Sequence, residues 1–319
     1  MDLYQKISLE MIDGFNLNHE GDDDAKTGVS VIYFKKGAQV GVDISGGGPA
    51  SKETPLATPL TANNLVNAIV LSGGSAYGLA ASDGVMKCLE KHDIGLDTGY
   101  ARIPLVLSSC IYDLGYGQAD VRPDANMGYR ACEKALKETS DEHGNVGAGV
   151  GATVGKLLGM KQASKSGLGV YTIYFGEIYI SAVVVVNALG DIFDTNGQKI
   201  AGVMSKDRDI YLSFEKTLAY LPNNFSQRTN TTIGAVITNA KFNKAELCKI
   251  ASMTRNAYAR SIDPVGTMAD GDTIYACSVG EVSADINVIG TLAAKVMQLA
   301  ILDAIKSSKI SDEEFLSNC

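Results

Sequence analysis

Two apolar runs, 168–175 and 178–187, are separated only by Gly176-Glu177. Runs of this length, rich in β-branched and aromatic residues, read as strands, and a two-residue glycine-containing connection reads as a hairpin. Elsewhere strand-like and helix-like segments alternate. Hairpins interleaved with helices fit antiparallel sheets covered by helices better than a doubly wound parallel sheet. With 45% apolar residues over 319 positions, the chain has enough material for a sizeable core.

The other elements follow from period and punctuation. Segments 28–34 and 39–43 read as paired strands ended by Gly46-Gly47-Gly48-Pro49, and a helix is expected over 62–71 until Gly73-Gly74-Ser75-Ala76 breaks it. Further helices are expected over 80–91, 127–138, 206–220 and 285–306, and strands over 104–108, 231–238 and 273–279. Asn243 and Glu246 have the spacing of a capping box at the head of one more helix. Residues 221–230 are polar, contain a proline and read as a linker. The glycine-dense stretch Gly144–Gly159 is read as backbone packed closely beside a site.

Several function classes are excluded. Net charge is −8 and the 28 Lys and Arg are scattered, so neither nucleic acid nor an anionic membrane is an expected partner. The N-terminus lacks a signal-peptide layout, and the longest apolar run, near Ile180–Leu189, is too short to span a bilayer; a cytoplasmic location is the expectation. Six cysteines without a CxxC pair read as reduced core thiols, and three isolated histidines offer no ligand-spaced set, so no metal or cofactor is expected. Asp22-Asp23-Asp24 reads as a solvated loop. Gly147-Ala148-Gly149-Val150-Gly151-Ala152 satisfies a dinucleotide-type glycine pattern, but a polar segment precedes it where that fingerprint needs a strand.

The chemistry concentrates at Asn230-Thr231. A threonine at the first position of a buried strand becomes a catalytic N-terminus if the bond before it is cut, because its freed α-amine then serves as the base for its own hydroxyl. Such a nucleophile needs carboxylates to hold it and no histidine, and Asp270-Gly271-Asp272 supplies two carboxylates in what is otherwise an ordinary turn. Thr232 is a second hydroxyl at this bond, but its side chain belongs to the opposite face of the strand. Lys156 stands in an apolar, glycine-rich setting, where an ammonium has a depressed pKa, sits against a carboxylate, or snorkels to the surface. Asn187 ends the run Val183–Val186, a position suited both to an Asx turn and to donation to an oxyanion.

These stretches together resemble the DmpA-like self-processing N-terminal-nucleophile hydrolases, which include L-aminopeptidase/D-amidases, β-peptidyl aminopeptidases and nylon-oligomer hydrolases. The likeness runs through Thr27–Ile32, Ile69–Leu79, Gly144–Lys156 and Asn230–Gly234, and the Asn-Thr and Asp-Gly-Asp forms are most similar to the nylon-hydrolase branch. The resemblance implies a single αββα sandwich over 1–319, cut between Asn230 and Thr231 into chains 1–230 and 231–319 that stay associated. It implies Thr231 as nucleophile, Asp270 and Asp272 as its orienting groups, Lys156 as a tuning cation and Asn187 as an oxyanion donor. A tyrosine near the oxyanion maps best onto Tyr112, with Tyr116 the neighbouring alternative. The expected substrates are small peptides or ω-amino-acid oligoamides, and the expected assembly is a homo-oligomer of αβ units, a dihedral tetramer. Two other readings stand beside this one: an acyl transferase like the ornithine acetyltransferases, and an uncleaved, non-catalytic homologue.

Overall fold

In the computed structural model, residues 4–209, 211–213, 217 and 230–319 are described. Ten strands among them form a continuous hydrogen-bonded system: β1 (Gln5–Ile7), β2 (Phe15–Asp22), β3 (Thr27–Ile44), β4 (Ala50–Lys52), β5 (Val66–Ser72), β6 (Val106–Cys110), β7 (Leu168–Phe175), β8 (Ile178–Asn187), β9 (Thr231–Ala240) and β10 (Thr273–Val282). The system folds into two layers because β3 serves both. Its first half pairs with β2 and β5, and its second half, 39–44, pairs with β10. The two strands expected at 28–34 and 39–43 are therefore one bent strand and do not pair with each other. The bend falls where register shifts between Tyr33 and Ala38, at Lys35-Lys36-Gly37, and Gly37 has φ +76°.

One layer runs β1-β7-β8-β9-β10-β3, and the other runs β2-β3-β5-β6-β4, with β2 at its free edge. Each is antiparallel apart from one parallel pair, β9–β10 in the first and β5–β6 in the second. Those pairs need helical crossovers, and the helices supply the outer layers. Helices α1 (Ala81–Lys91) and α2 (Ala125–Lys137) pack Val85, Leu89 and Ala131 against Val31 and Val70. On the opposite side α3 (Lys244–Thr254), α4 (Asn256–Ser261) and α5 (Ile286–Ser307) cover Val184, Val186 and Val236. Ile32, Phe34, Ile69 and Leu71 meet Val183, Val185, Ile233 and Ile237 between the sheets. The order helix, sheet, sheet, helix is the αββα sandwich.

Burial on both faces explains why Val183–Val186 reads as an unbroken apolar run: odd positions fill the inter-sheet core and even positions fill the helix layer. It also explains a correction. The segment expected as a helix over 62–71 is β5, whose two covered faces remove the alternation that separates a strand from a buried helix. The 168–187 hairpin, α1, α2, β9, β10 and α5 fall where expected, and the capping box of Asn243 and Glu246 is formed. α5 is long and apolar enough to cross a membrane by length and composition, yet 72% of its apolar window is buried inside the sandwich. The helix expected over 206–220 and the linker over 221–230 lie mostly outside the described residues; 206–209 form a turn and a bend.

Candidate active site

Two strand pairings bring the candidate residues to one end of the first sheet. Thr231, the first residue of β9, lies opposite Asn187, the last residue of β8. On its other side β9 runs parallel to β10, and the Asp270-Gly271-Asp272 turn leads into that strand. Asn230 forms a single parallel bridge with Asp270. Its N–H donates to the Ala269 carbonyl at 2.9 Å, and its carbonyl accepts the Gly271 N–H at 2.9 Å. The Thr231 hydroxyl hydrogen-bonds to that same Asn230 carbonyl. The carbonyl before Thr231 thus accepts from two sides, from the Thr231 hydroxyl and from the Gly271 N–H.

The two carboxylates are buried and do different things. Asp272 receives the Thr232 N–H at 2.6 Å on one oxygen and the Gly266 N–H at 2.9 Å on the other, so it grips the backbone one residue beyond Thr231. Asp270 receives both the N–H (2.9 Å) and the hydroxyl (2.6 Å) of Thr267 on one oxygen, which is the ordinary turn reading made real. Burial, followed by the neighbouring Asp270, raises the pKa of Asp272. Period two places Thr231 with Ile233 on the inter-sheet face and sends the Thr232 side chain to the helix face, as expected.

Lys156 lies in a short 3₁₀ turn, Lys156–Leu158, and is 7% exposed. It is neither a surface lysine nor a snorkelling one. Its Nζ donates to the Asn187 carbonyl at 2.9 Å. Burial brings its pKa down to about 7, against the opposing pull of Asp270, Asp113 and Asp272. The Asn187 side chain is fully buried and ties three segments together: Oδ1 accepts the Thr153 N–H at 3.1 Å, and Nδ2 donates to the Tyr112 carbonyl at 2.8 Å. Tyr112 is therefore beside Asn187. Tyr116 is packed away from it, stacked on Phe315 with ring centroids 5.2 Å apart.

Two contributors were not singled out from sequence. Asp113 is buried, accepts the Thr27 hydroxyl and the Gly74 N–H at 2.7 Å each, and acts on Lys156 through its charge. A Cβ at Gly151 would stand 2.8 Å from the Asp113 side chain, which is one reason the 144–159 stretch is so rich in glycine. The second contributor is the triple glycine after β3. Gly48 donates to the Asp270 carbonyl at 2.9 Å, Ser45 donates to the Asp272 carbonyl at 3.0 Å, and a Cβ at Gly46 would come within 2.3 Å of the Asp270 oxygen. These glycines buttress the Asp-Gly-Asp turn as well as ending a strand, and the run itself was the available signal. Gly46→Ala is expected to push that turn off Asn230 and to slow any chemistry at Thr231 at least about tenfold, a loss in keeping with the cost of misplacing reacting groups by about 1 Å. Wild-type rates in that variant would separate the loop from the site.

Among the described residues, Cys88, His92 and Glu133 are the one group of three whose metal-ligating atoms lie near one another, where α1 and α2 meet. Glu133 there accepts the Tyr129 hydroxyl at 2.9 Å and lies 3.7 Å from the Lys91 ammonium.

The chain is 36% identical over 311 residues to an uncharacterized aminopeptidase of Mycobacterium leprae, covering 87% of this chain and 80% of the relative. It is 31% identical over 302 residues to the 6-aminohexanoate-oligomer endohydrolase of a Kocuria species, covering 89% and 82%. The fold is shared with a Burkholderia β-aminopeptidase (TM-score 0.69, 17% identity, 98% of this chain and 92% of the other). It is shared also with the L-aminopeptidase D-Ala-esterase/amidase of Ochrobactrum anthropi (TM-score 0.67, 15% identity, 97% and 92%). The profile of peptidase family S58 matches residues 11–312, and with it the conclusion follows that this chain is an amide-bond hydrolase belonging to that family.

Proposed function

We propose that the chain is a self-processing amide hydrolase with Thr231 as its nucleophile, acting on small peptides or ω-amino-acid oligoamides. What carries the reading is the Asn230 carbonyl, placed between the Thr231 hydroxyl and the Gly271 N–H. In the first reaction Thr231 Oγ1 attacks the Asn230 carbonyl carbon, the C–N bond breaks as the nitrogen takes the proton, and the acyl group moves to oxygen as an ester. Water then hydrolyses the ester, leaving an Asn230 carboxylate and a Thr231 with free amine and hydroxyl. In the second reaction that amine accepts the hydroxyl proton while Oγ1 attacks a substrate amide, the amine product leaves, and water releases the acyl group. In this reading Asp270 and Asp272 orient the nucleophile, with Asp272 fixing the strand behind it. Lys156 tunes it, Asn187 donates to the oxyanion with the Nδ2 hydrogen not used on the Tyr112 carbonyl, and Tyr112 is the tyrosine assigned to that oxyanion.

A denaturing gel with N-terminal sequencing tests the cut: two fragments, the smaller starting at Thr231, are expected. A single band in fresh and aged protein, or a fragment starting at Thr232, overturns the assignment. The αβ units are proposed to assemble as a dihedral tetramer, and light scattering that reports the mass of one chain at micromolar concentration rejects it.

The pH dependence has a definite sign. Only the neutral Thr231 amine is a base, and its unperturbed pKa is about 7.7–8.0. Lys156, brought down to about 7 by burial, titrates in the same range, so the two amines share the ascending limb of the rate profile. A Lys156 cation disfavours a second cation beside it. Lys156→Met is therefore expected to move the ascending limb to higher pH and to leave a single ionisation. A limb that stays put or moves to lower pH removes Lys156 from the base's surroundings.

A further inference from the structure

The turn Ala269-Asp270-Gly271 presents its backbone in two directions, and each direction has its own partner. On one side the Asp270 N–H donates to the Thr267 carbonyl and the Asp270 carbonyl accepts from Gly48. On the other, the Ala269 carbonyl and the Gly271 N–H are both taken by the Asn230 backbone, in the two-bond pattern of a parallel bridge. We infer that, once the bond before Thr231 is cut, this backbone clamp is the subsite for the substrate's acyl residue. The inference rests on the proposed cleavage and deepens it by naming a substrate class.

The geometry is demanding. Before cleavage the Asn230 carbonyl is the group next to the Thr231 hydroxyl, and a substrate carbonyl must come to that same place. An acyl residue that reproduces the Asn230 backbone donates its N–H to Ala269 and accepts from Gly271, filling the place at the head of β9 beside the Asp270 turn. Gly271 itself allows the approach: a Cβ there would lie 2.9 Å from Thr231 Oγ1 and 2.9 Å from the Gly48 carbonyl. The clamp takes an α-aminoacyl group, in which N–H and C=O flank one carbon. An ω-aminoacyl group offers the carbonyl but no N–H at that spacing, and it leaves the Ala269 oxygen unpaired. The preferred substrates are thus α-peptides, with the α-nitrogen either free or acylated.

The test compares four p-nitroanilides on the cleaved wild-type enzyme: alanyl, N-acetylalanyl, O-acetyl-lactyl and 6-aminohexanoyl. The lactyl compound has the shape of acetylalanine with oxygen in place of N–H. The better alanyl compound is expected to exceed both the lactyl and the 6-aminohexanoyl compounds in kcat/KM by about tenfold, the effect of one lost hydrogen bond whose acceptor is left unpaired. Equal rates for the alanyl and lactyl compounds, or faster turnover of the 6-aminohexanoyl compound, overturn the clamp while leaving Thr231 catalysis standing. A cleaved enzyme that turns over none of the four overturns the clamp, and a purified chain that stays uncut as well overturns the underlying reading with it.

Discussion

Thr231→Ala is expected to leave the protein as a single uncut chain with no measurable amidase activity. Removing the hydroxyl takes away the one atom that both reactions use to attack a carbonyl, and the strand is otherwise untouched, because Ile233, Ala235 and Ile237 keep their places in the inter-sheet core. Loss of a nucleophile that works together with its base costs on the order of 10⁶ in rate where such a unit has been dismantled. Thr231→Ser keeps the oxygen but loses the methyl that restricts χ1, and it is expected to cut and to turn over more slowly than wild type. Mass spectrometry of both variants reads the outcome. A cut Thr231→Ala protein places the nucleophile elsewhere.

The two carboxylates are expected to respond differently to amide substitution. In Asp270→Asn, the oxygen that accepts both Thr267 donors can be kept, so the turn survives and only the charge is lost. Activity is expected to fall about 10²–10³-fold, the range for losing one preorganised electrostatic contact, with Tm near wild type. Asp272 accepts a backbone N–H on each oxygen, so Asn at that position must turn an NH₂ group toward either Thr232 or Gly266. Asp272→Asn is expected to lose activity and thermal stability together. Asp270→Asn at wild-type rate would return that residue to a purely structural role in its turn.

The layers of the sandwich were legible because the chain writes them as local patterns: a hairpin closed by Gly176-Glu177, a capping box at Asn243, and a threonine-led strand at 231. What resisted reading was non-local. The apolar run 66–72 carries no record of being covered on both faces, and residues 35–37 look like a turn although the strand continues through them on a new layer. The same limit applied to the site. Asn230-Thr231, Asp270, Asp272, Lys156 and Asn187 stood out by residue type and setting, and the structure gathers them around the ends of β8, β9 and β10. Asp113 and the Gly46–Gly48 loop did not stand out, because their partners lie far away in sequence and only folding brings a glycine backbone against the Asp270 carbonyl.

The bent strand β3 has a mechanical consequence for a protein divided at residue 230. β9 and β10, both from the downstream portion, are threaded between β8 and the far half of β3, which belong to the upstream portion. The upstream portion alone would be left with a gap two strands wide, and the downstream portion would be left with a parallel strand pair that has no neighbours. Scission would thus change the connectivity of the molecule without giving either piece a surface on which to part. The two polypeptides would melt in one transition, and neither made alone would complete the core between the sheets.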